Sequence, residues 1–326
     1  DQLLFLRLLV YYMHQITVSE EYNTIRLDAF LAQQEGVFSR SRSQDMISNG
    51  YVSINDNTIT KLAKKVREGD TVSYDPELFE KEMVAANTLE PVDMKIQIVF
   101  ENDDYAIIIK PPYLSVHPSD TETQPTLAHG LMHQFGSNLP LSDQGRPGLV
   151  HRLDKDTSGL MIIVKNAESQ VYFQKLIAKR EIEKYYKTLV YGNIPEETGT
   201  INQPLYRDKK DRRKQVVSHS PEARNAITHY TLESFHPSYQ VSLVDVQIIT
   251  GRTHQIRAHM RFAQHPVVGD QIYGIGKINK QFSSKLNLQR QFLHAYRLAF
   301  VDPSGVEQDF QISLYNDLQK VVDTLA

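Results

Sequence analysis

The chain has 326 residues, of which 40% are hydrophobic, enough for about two domains and at least one large core. It contains no cysteine, which excludes disulfides and thiolate-bound zinc and suits a reducing compartment. Its formal charge is −3, so a nucleic-acid partner would have to be met by local basic patches rather than by total charge.

Residues 1–12 are apolar but too few to span a membrane. They lack the basic n-region and small-residue cleavage site of a signal peptide. Met13 is therefore expected to be the natural start, with residues 1–24 an N-terminal extension. No other long apolar run occurs, so the expectation is a soluble, cytoplasmic monomer with no membrane attachment.

From Ile25 the pattern tightens. Leu27, Phe30 and Leu31 recur at helical spacing, with Gly36 as a stop. Ser39 or Ser41 can cap a second helix with Met46 and Ile47 inward, ended by Asn49-Gly50. Strands follow at Tyr51–Ile54 and Thr71–Tyr74, with turns at Asn55-Asp56-Asn57 and Gly69-Asp70. Arg40, Arg42, Lys61, Lys64, Lys65 and Arg67 could line a phosphate-binding face, although nearby carboxylates nearly balance them. Arg26-Leu27-Asp28-x-Phe30-Leu31, Ser41-Arg42-Ser43, Gly50-x-Val52-x-Ile54-Asn55 and Val66-x-x-Gly69-Asp70-x-Val72 together resemble the S4 RNA-binding domain over residues 25–74. That family usually has Gly where this chain has Asp56, a position Asp tolerates in the left-handed region. The resemblance implies RNA contacts from Arg40, Arg42, Lys64 and Lys65.

Residues 75–92 are rich in Glu and Pro and read as a linker, with a helical piece around Leu78 to Ala86. A second, larger domain is expected over 93–326. It opens with a hairpin, Ile96–Phe100 and Tyr105–Ile109, then the proline-fixed loop Lys110–Pro118, a helix over Thr126 to Gly136, and a turn-rich lead-in at Asp143–Gly148.

The stretch Gly148–Val164 is the centre of the chain. It reads as two short buried strands, Leu149-Val150 and Leu160–Val164, around a polar turn holding His151, Arg152, Asp154, Lys155, Asp156, Thr157 and Ser158, closed by Gly159. On its own it could be a charged turn. Three chemistries compete with that plain reading. A Ser158–His151–Asp154 hydrolase triad lacks the Gly-x-Ser-x-Gly elbow. An aspartyl-phosphate site is broken by Asp156. The third is carboxylate chemistry by Asp154 on an RNA nucleoside, with Arg152 on the same side of a strand.

Downstream, Ala167 to Arg180 is a helix with Val171, Leu176 and Ile177 as its apolar side, and Tyr185 to Tyr191 is a strand. Arg207–Lys214 carries six basic residues against two acidic, a loop able to meet RNA phosphates through Lys209, Lys210, Arg212 and Arg213. Val241–Ile249 is a strand, and Thr253 to Ala263 a helix with Ile256 and Met260 inward and Thr253 and Arg257 on another face. His254 and His259 are five apart and there is no His-Glu-x-x-His, which argues against a zinc hydrolase. A hairpin, Leu293–Phe300 with Gln308–Ile312, and an amphipathic helix, Leu314–Leu325, close the chain.

His151-Arg152-Leu153-Asp154-Lys155-Asp156-Thr157-Ser158-Gly159-Leu160-Met161 resembles the central motif of the RluA/RluD-type pseudouridine synthases. Lys110-Pro111 with Val116-His117-Pro118, Lys184–Gly192, Thr250–Met260, His265–Gly274 and Leu293-His294-Ala295 match further motifs of that family, so the resemblance runs from about Ile25 to Ile312. It implies an α+β fold: an S4-like module, then a mixed or mainly antiparallel sheet flanked by helices. It implies Asp154 as the essential carboxylate, Tyr186 against the base, Arg257 paired with Asp154, and Arg152 filling the gap left by an extruded uridine. An Arg beside Asp154 favours its charged form and aims it with fork hydrogen bonds. The expected reaction is uridine to pseudouridine in RNA, large-subunit ribosomal RNA first, needing no cofactor and no metal. Asp154 either attacks the nucleoside or takes a proton from the ribose. Alternatives are a synthase acting on transfer RNA and a non-catalytic RNA-binding assembly factor.

Overall fold

The computed structural model describes residues 14–34, 37, 40–79, 89–118, 122–136, 139–141 and 146–325. The readings at Met13, Gly36, Ser39, residues 80–86 and residues 143–145 lie outside these. The chain divides into two compact units, one running to Glu90 and taking in Leu141–Arg146, the other comprising Pro91–Pro140 and Pro147–Ala326.

The first unit packs two short helices on a small sheet. Helix α1 (Leu27–Leu31) buries Leu27, Phe30 and Leu31, and α2 (Arg40–Ser48) buries Met46 and Ile47. Gly50, at φ 83°, ends α2 through its N–H on the Ile47 carbonyl. Strands β1 (His14–Thr17), β2 (Val52–Ile54), β3 (Asn57–Thr58) and β4 (Thr71–Tyr74) lie in the antiparallel order β1-β4-β2-β3. Asn55 and Asp56 join β2 to β3 with φ of 49° and 64°, the pair of left-handed residues a tight hairpin requires. Strand β1 was not foreseen: residues 14–24, read as an extension, join this unit. Val18 is fully buried and exchanges backbone hydrogen bonds with Gly69 and Asp70. One apolar residue, Ile16, in a four-residue edge strand leaves almost no periodic signal.

The second unit is built on a nine-stranded sheet in the order β5-β6-β7-β14-β8-β13-β12-β9, with β15 pairing β14. The strands are β5 (Gln97–Glu101), β6 (Tyr105–Lys110), β7 (Ser158–Val164), β8 (Glu183–Tyr191), β9 (Thr198–Asn202), β12 (Ile227–His236), β13 (Val241–Ile248), β14 (Leu293–Val301) and β15 (Glu307–Gln311). A separate hairpin, β10 (Leu205–Arg207) and β11 (Gln215–Val217), carries the basic loop. Among the described strands only β7 and β14 run parallel; the other pairs are antiparallel. The fold class is α+β, as the sequence implies.

Helices α3 (Leu127–Phe135), α4 (Ala167–Lys179), α5 (Gln255–Phe262), α6 (Gly276–Leu286) and α7 (Asn316–Leu325) complete this unit. One core gathers Tyr105, Ile162, Phe173, Leu176 and Phe300; another gathers Phe282, Phe292, Leu318 and Val321. Helix α4 turns Phe173 and Leu176 inward and leaves Val171 half exposed, so its apolar side is rotated from the one expected. The aromatic ring wins because Phe173 packs edge-on against Tyr105 and Phe300. Among the described residues no helix is long and apolar enough to cross a membrane.

Candidate active site

The central stretch keeps its exit strand and loses its entrance strand. Ser158–Val164 is β7, wholly buried, but Leu149-Val150 makes only an isolated bridge, Leu149 to Ile163. Strand β14 pairs with β7 only at Ser158 and Gly159, so the rest of that edge needs other partners. The Gly148 carbonyl accepts from Val164 N–H, and the His151 ring nitrogen Nε2 accepts from Ile162 N–H at 2.9 Å. A side chain thus completes the ladder where a strand was expected. Desolvation of that ring, with the Lys184 cation beside it, pushes His151 down to about 3, so it stays neutral and able to accept. Residues 151–154 are consequently irregular, and strand alternation does not relate Arg152 to Asp154.

The polar loop is held from beneath. Lys110 Nζ donates to the carbonyls of Pro111, Leu114 and Lys155 at 2.7, 2.9 and 2.9 Å. Fully buried Arg290 donates to the Asp156 carbonyl and to Ser158 Oγ, and pairs with Asp317 at 2.7 Å. His294 lies between Ser158 Oγ and the Ser313 carbonyl; the carbonyl can only accept, which leaves His294 Nδ1 to accept from Ser158. Lys155 pairs with Glu122 at 2.9 Å. Gly159, at φ 129°, is required by contact as well as by conformation: a Cβ there would lie 2.2 Å from the Ala295 carbonyl oxygen. His151 and the backbone of Lys155 and Asp156 therefore brace the loop.

Asp154 projects from this braced loop into a cavity of ≈ 410 Å³, of the size small ligands occupy. Arg257, on α5, donates from Nη1 to Asp154 Oδ2 at 2.8 Å. Its other face grips buried Asp270, with Nε to Oδ2 at 2.6 Å and Nη2 to Oδ1 at 3.0 Å. Asp270 Oδ1 also accepts the backbone N–H groups of Ile272 and Tyr273. Burial opposes the charge on Arg257, but these two carboxylates outweigh it and push its pKa up. Tyr186, on β8, is buried in the same wall; burial and then the Asp154 charge push its phenol above the usual range.

The structure thus brings Asp154, Tyr186 and Arg257 around one space, with Arg152 exposed at its rim. It also places Arg180, Lys184 and Arg252 in the lining, where Asp154 is the only carboxylate among the described residues. Burial pushes Lys184 down to about 8. Arg180 and Arg252 were not singled out by sequence, because one caps α4 in the left-handed conformation and the other lies in the turn before α5. Helix α5 starts at Gln255 rather than Thr253, since His254 takes φ 55° at its N-cap; Thr253 does not share a helical face with Arg257.

The expected RNA-contact residues fall into two classes. Lys209, Lys210 and Arg212 are exposed in the β10–β11 loop, while Arg213 is exposed but paired with Asp211 at 2.9 Å. In the first unit Arg40 is held on Asp28 at 3.1 Å, Arg42 is half-buried, and Lys64 and Lys65 line an open groove with Arg67.

Comparison with known proteins gives this geometry a setting. The sequence model of the RNA pseudouridylate synthase family matches residues 104–262, and that of the S4 domain matches residues 25–72. The chain is 35% identical to "Uncharacterized RNA pseudouridine synthase YlyB" of Bacillus subtilis, over 95% of this chain and 97% of that one. The chain belongs to the RNA pseudouridine synthase family. It is 35% identical to "Ribosomal large subunit pseudouridine synthase D" of Salmonella typhimurium, over 95% of this chain and 93% of the other. Among solved structures, human "RNA Pseudouridylate Synthase Domain Containing 4" aligns at 25% identity and a TM-score of 0.54, covering 76% of this chain and 97% of that one. Members of this family are enzymes that isomerise uridine in RNA, and this one carries an S4 domain ahead of the synthase unit.

Proposed function

We propose that this synthase converts uridine to pseudouridine in large-subunit ribosomal RNA, with Asp154 as the reacting carboxylate. The relatives named for the large ribosomal subunit, matched along nearly their whole length, support that substrate. The observation that carries the role of Asp154 is its place: the single carboxylate among the described residues of a cation-lined cavity, held on a braced loop by Arg257. The reaction breaks the bond from ribose C1′ to uracil N1, turns the base, and forms the bond from C1′ to C5; the C5 proton leaves and N1 gains one, so product and substrate are isomers. No redox equivalent or energy input enters that balance.

Each neighbour has a physical task in this reading. Arg257 occupies Asp154 Oδ2, which leaves Oδ1 to meet the nucleoside. Asp270 fixes Arg257 from behind, so the guanidinium is oriented before substrate arrives. Tyr186, kept neutral, offers a flat apolar surface for the base. The uridine has to leave its stack to enter, and Arg152 at the rim fills the space behind it. Lys64 and Lys65 in the first unit and Lys209, Lys210 and Arg212 in the second contribute phosphate contacts. The protein works in the cytoplasm, where ribosomal RNA is modified, and acts as a monomer.

The test is pseudouridine mapping of ribosomal and transfer RNA in cells lacking the protein, complemented with wild type or Asp154→Asn. Loss of specific large-subunit pseudouridines, restored only by the wild type, is the expected result. Restoration by Asp154→Asn would sink the catalytic reading; loss confined to transfer RNA would sink the substrate.

A further inference from the structure

His254 sits against the reacting group and has a role that its failure as a metal ligand leaves open. Its Nε2 lies 3.8 Å from Asp154 Oδ2, the same oxygen that Arg257 holds. Its Nδ1 lies 3.0 Å from the hydroxyl of Tyr273. That hydroxyl is itself engaged: the backbone N–H of Gln215, the first residue of β11, donates to it at 2.7 Å. Tyr273 is fixed in place, being 6% exposed, packed edge-on against the His254 ring, with the Arg257 guanidinium 5.1 Å from its ring centre. Its own backbone N–H is tied to Asp270.

The donor count decides the protonation of the imidazole. A backbone N–H can only donate, so the Tyr273 oxygen accepts from Gln215, and the one hydroxyl proton remains to be placed. Only His254 Nδ1 is at hand among the contacts of this oxygen. Were Nδ1 protonated, it would donate to the same oxygen and leave a buried hydroxyl proton without an acceptor, which is costly. The economical arrangement runs Gln215 N–H to Tyr273 O, then Tyr273 O–H to His254 Nδ1. The neutral ring then carries its proton on Nε2, facing Asp154. The left-handed backbone of His254 at the head of α5 aims the ring in this direction.

We propose that Tyr273 is a positioning residue that fixes the Nε2–H tautomer of His254, so that Asp154 Oδ2 faces two donors, Arg257 and His254, and Oδ1 alone is offered to the nucleoside. This rests on Asp154 being the reacting carboxylate. Burial supports the neutral ring by lowering the His254 pKa; Arg257 and Arg152 act in the same direction, and Asp154 and Asp270 oppose them. At 3.8 Å the Nε2–H is not yet hydrogen-bonded, and a small rotation on substrate binding brings it within reach.

Two measurements test this. In protein labelled with ¹⁵N-histidine and free of RNA, the His254 resonances, assigned by their loss in His254→Gln, should show Nε2 protonated and Nδ1 bare. The Tyr273→Phe variant, which keeps the ring, should show a mixture of tautomers. An Nδ1-protonated ring in the wild type overturns the proposal whatever Asp154 does. The second measurement is single-turnover tritium release from uridine-labelled ribosomal RNA at saturating enzyme. Tyr273→Phe should slow the step about tenfold, a coupling typical of neighbours in one hydrogen-bond network. In the His254→Gln background, where an amide N–H replaces Nε2–H and no tautomer exists, the same substitution should cost less than about twofold. Equal losses in both backgrounds would reduce Tyr273 to a packing residue, and no loss in either would remove it from the site.

Discussion

Asp28 and Asp154 are each held by arginine, and their difference separates a strut from a reactive group. Asp28, in the first unit, is fully buried and enclosed: Arg26 reaches both its oxygens at 3.0 Å, Arg40 approaches at 3.1 Å and Gln44 at 2.7 Å. Burial works against its charge, but those donors hold its carboxyl well below the usual carboxylate range. Asp154, in the second unit, has one arginine on one oxygen and a side chain 18% exposed toward a cavity. A carboxylate satisfied on every side has nothing left to offer a substrate. One satisfied on one side is both aimed and available. The saturated counterpart of Asp28 in the second unit is Asp270, which serves Arg257 as Asp28 serves Arg40.

The largest effect should come from the open carboxylate. Asp154→Asn keeps the shape and removes the charge, so isomerisation should fall by about four orders of magnitude, as for a lost group in a reacting unit. Thermal stability should change little. Asp28→Asn should do the reverse at saturating RNA, leaving the single-turnover rate near wild type while the first unit melts earlier. A rate loss in Asp28→Asn equal to that in Asp154→Asn would erase the distinction.

Next comes the residue that bridges the two kinds of site. Arg257→Met fills similar volume but leaves Asp270 as a charge without its buried partner. Breaking such a pair costs about 3–5 kcal/mol. The second unit should therefore lose stability by roughly that amount in urea titrations, as well as losing activity. The double variant Arg257→Met with Asp270→Leu should recover much of the stability and none of the activity. Activity regained together with stability would mean that Arg257 acts only as a brace.

How far this contrast could be read from sequence depends on whether a contact is local. The run Leu160–Val164 is apolar throughout and ends in three β-branched residues, and it is a strand; Leu27, Phe30 and Leu31 carry a helical period, and they form one buried face. Asp154, Tyr186 and Arg257 stand out through motif resemblance, and they line one cavity. Asp270 was visible only as part of a motif, since its grip on Arg257 depends on a turn packing under α5. Leu149-Val150 has the pattern of a strand, and no sequence rule anticipates that His151 fills the ladder position instead. The helical pattern of α5 extends back to Thr253, because nothing in Arg252-Thr253-His254 announces a left-handed histidine. Strand β1 escaped because a four-residue edge strand that alternates between half-buried and exposed has too little pattern to see.

Acid should separate the two units by window. His294 in the second unit is pushed down to about 4, first by burial, while the same ring in an unfolded chain titrates near 6.5. As pH falls from about 6.5 to about 4, the unfolded chain takes up a proton that the native unit refuses. The second unit then loses up to about 1.4 kcal/mol per pH unit from this group. His151, pushed down to about 3, acts in the same direction and further into acid. Asp28 works later: its native pKa lies below the unfolded value, so its contribution is complete above that value and is lost only as pH falls beneath the ordinary carboxylate range. Hydrogen exchange followed unit by unit, corrected for intrinsic rates, should show the second unit weakening first. His294→Gln should flatten its slope between pH 6 and 4, and an unchanged slope would mean that other groups carry it.

The smallest effects should lie in RNA binding, and there too the question is how much of a charge is already spent. Arg40 and Arg213 each sit on a carboxylate, Asp28 and Asp211. Lys209, Lys210 and Arg212 are exposed in a loop where Arg213 and Lys214 take up Asp211. A phosphate gains less from a cation that must be shared. Each alanine at Lys209, Lys210 or Arg212 should therefore lower the slope of log affinity against log salt by up to about 0.7 on single-stranded RNA, the value for one released counterion. Arg40→Ala and Arg213→Ala should each lower it by less, because each cation already neutralises a carboxylate, which keeps its other donors but gains net negative charge, so part of the effect is plain affinity loss at every salt concentration. Equal slopes for the two groups would show that RNA displaces the carboxylates on binding, which would make Asp28 a switchable partner of Arg40 instead of a fixed strut.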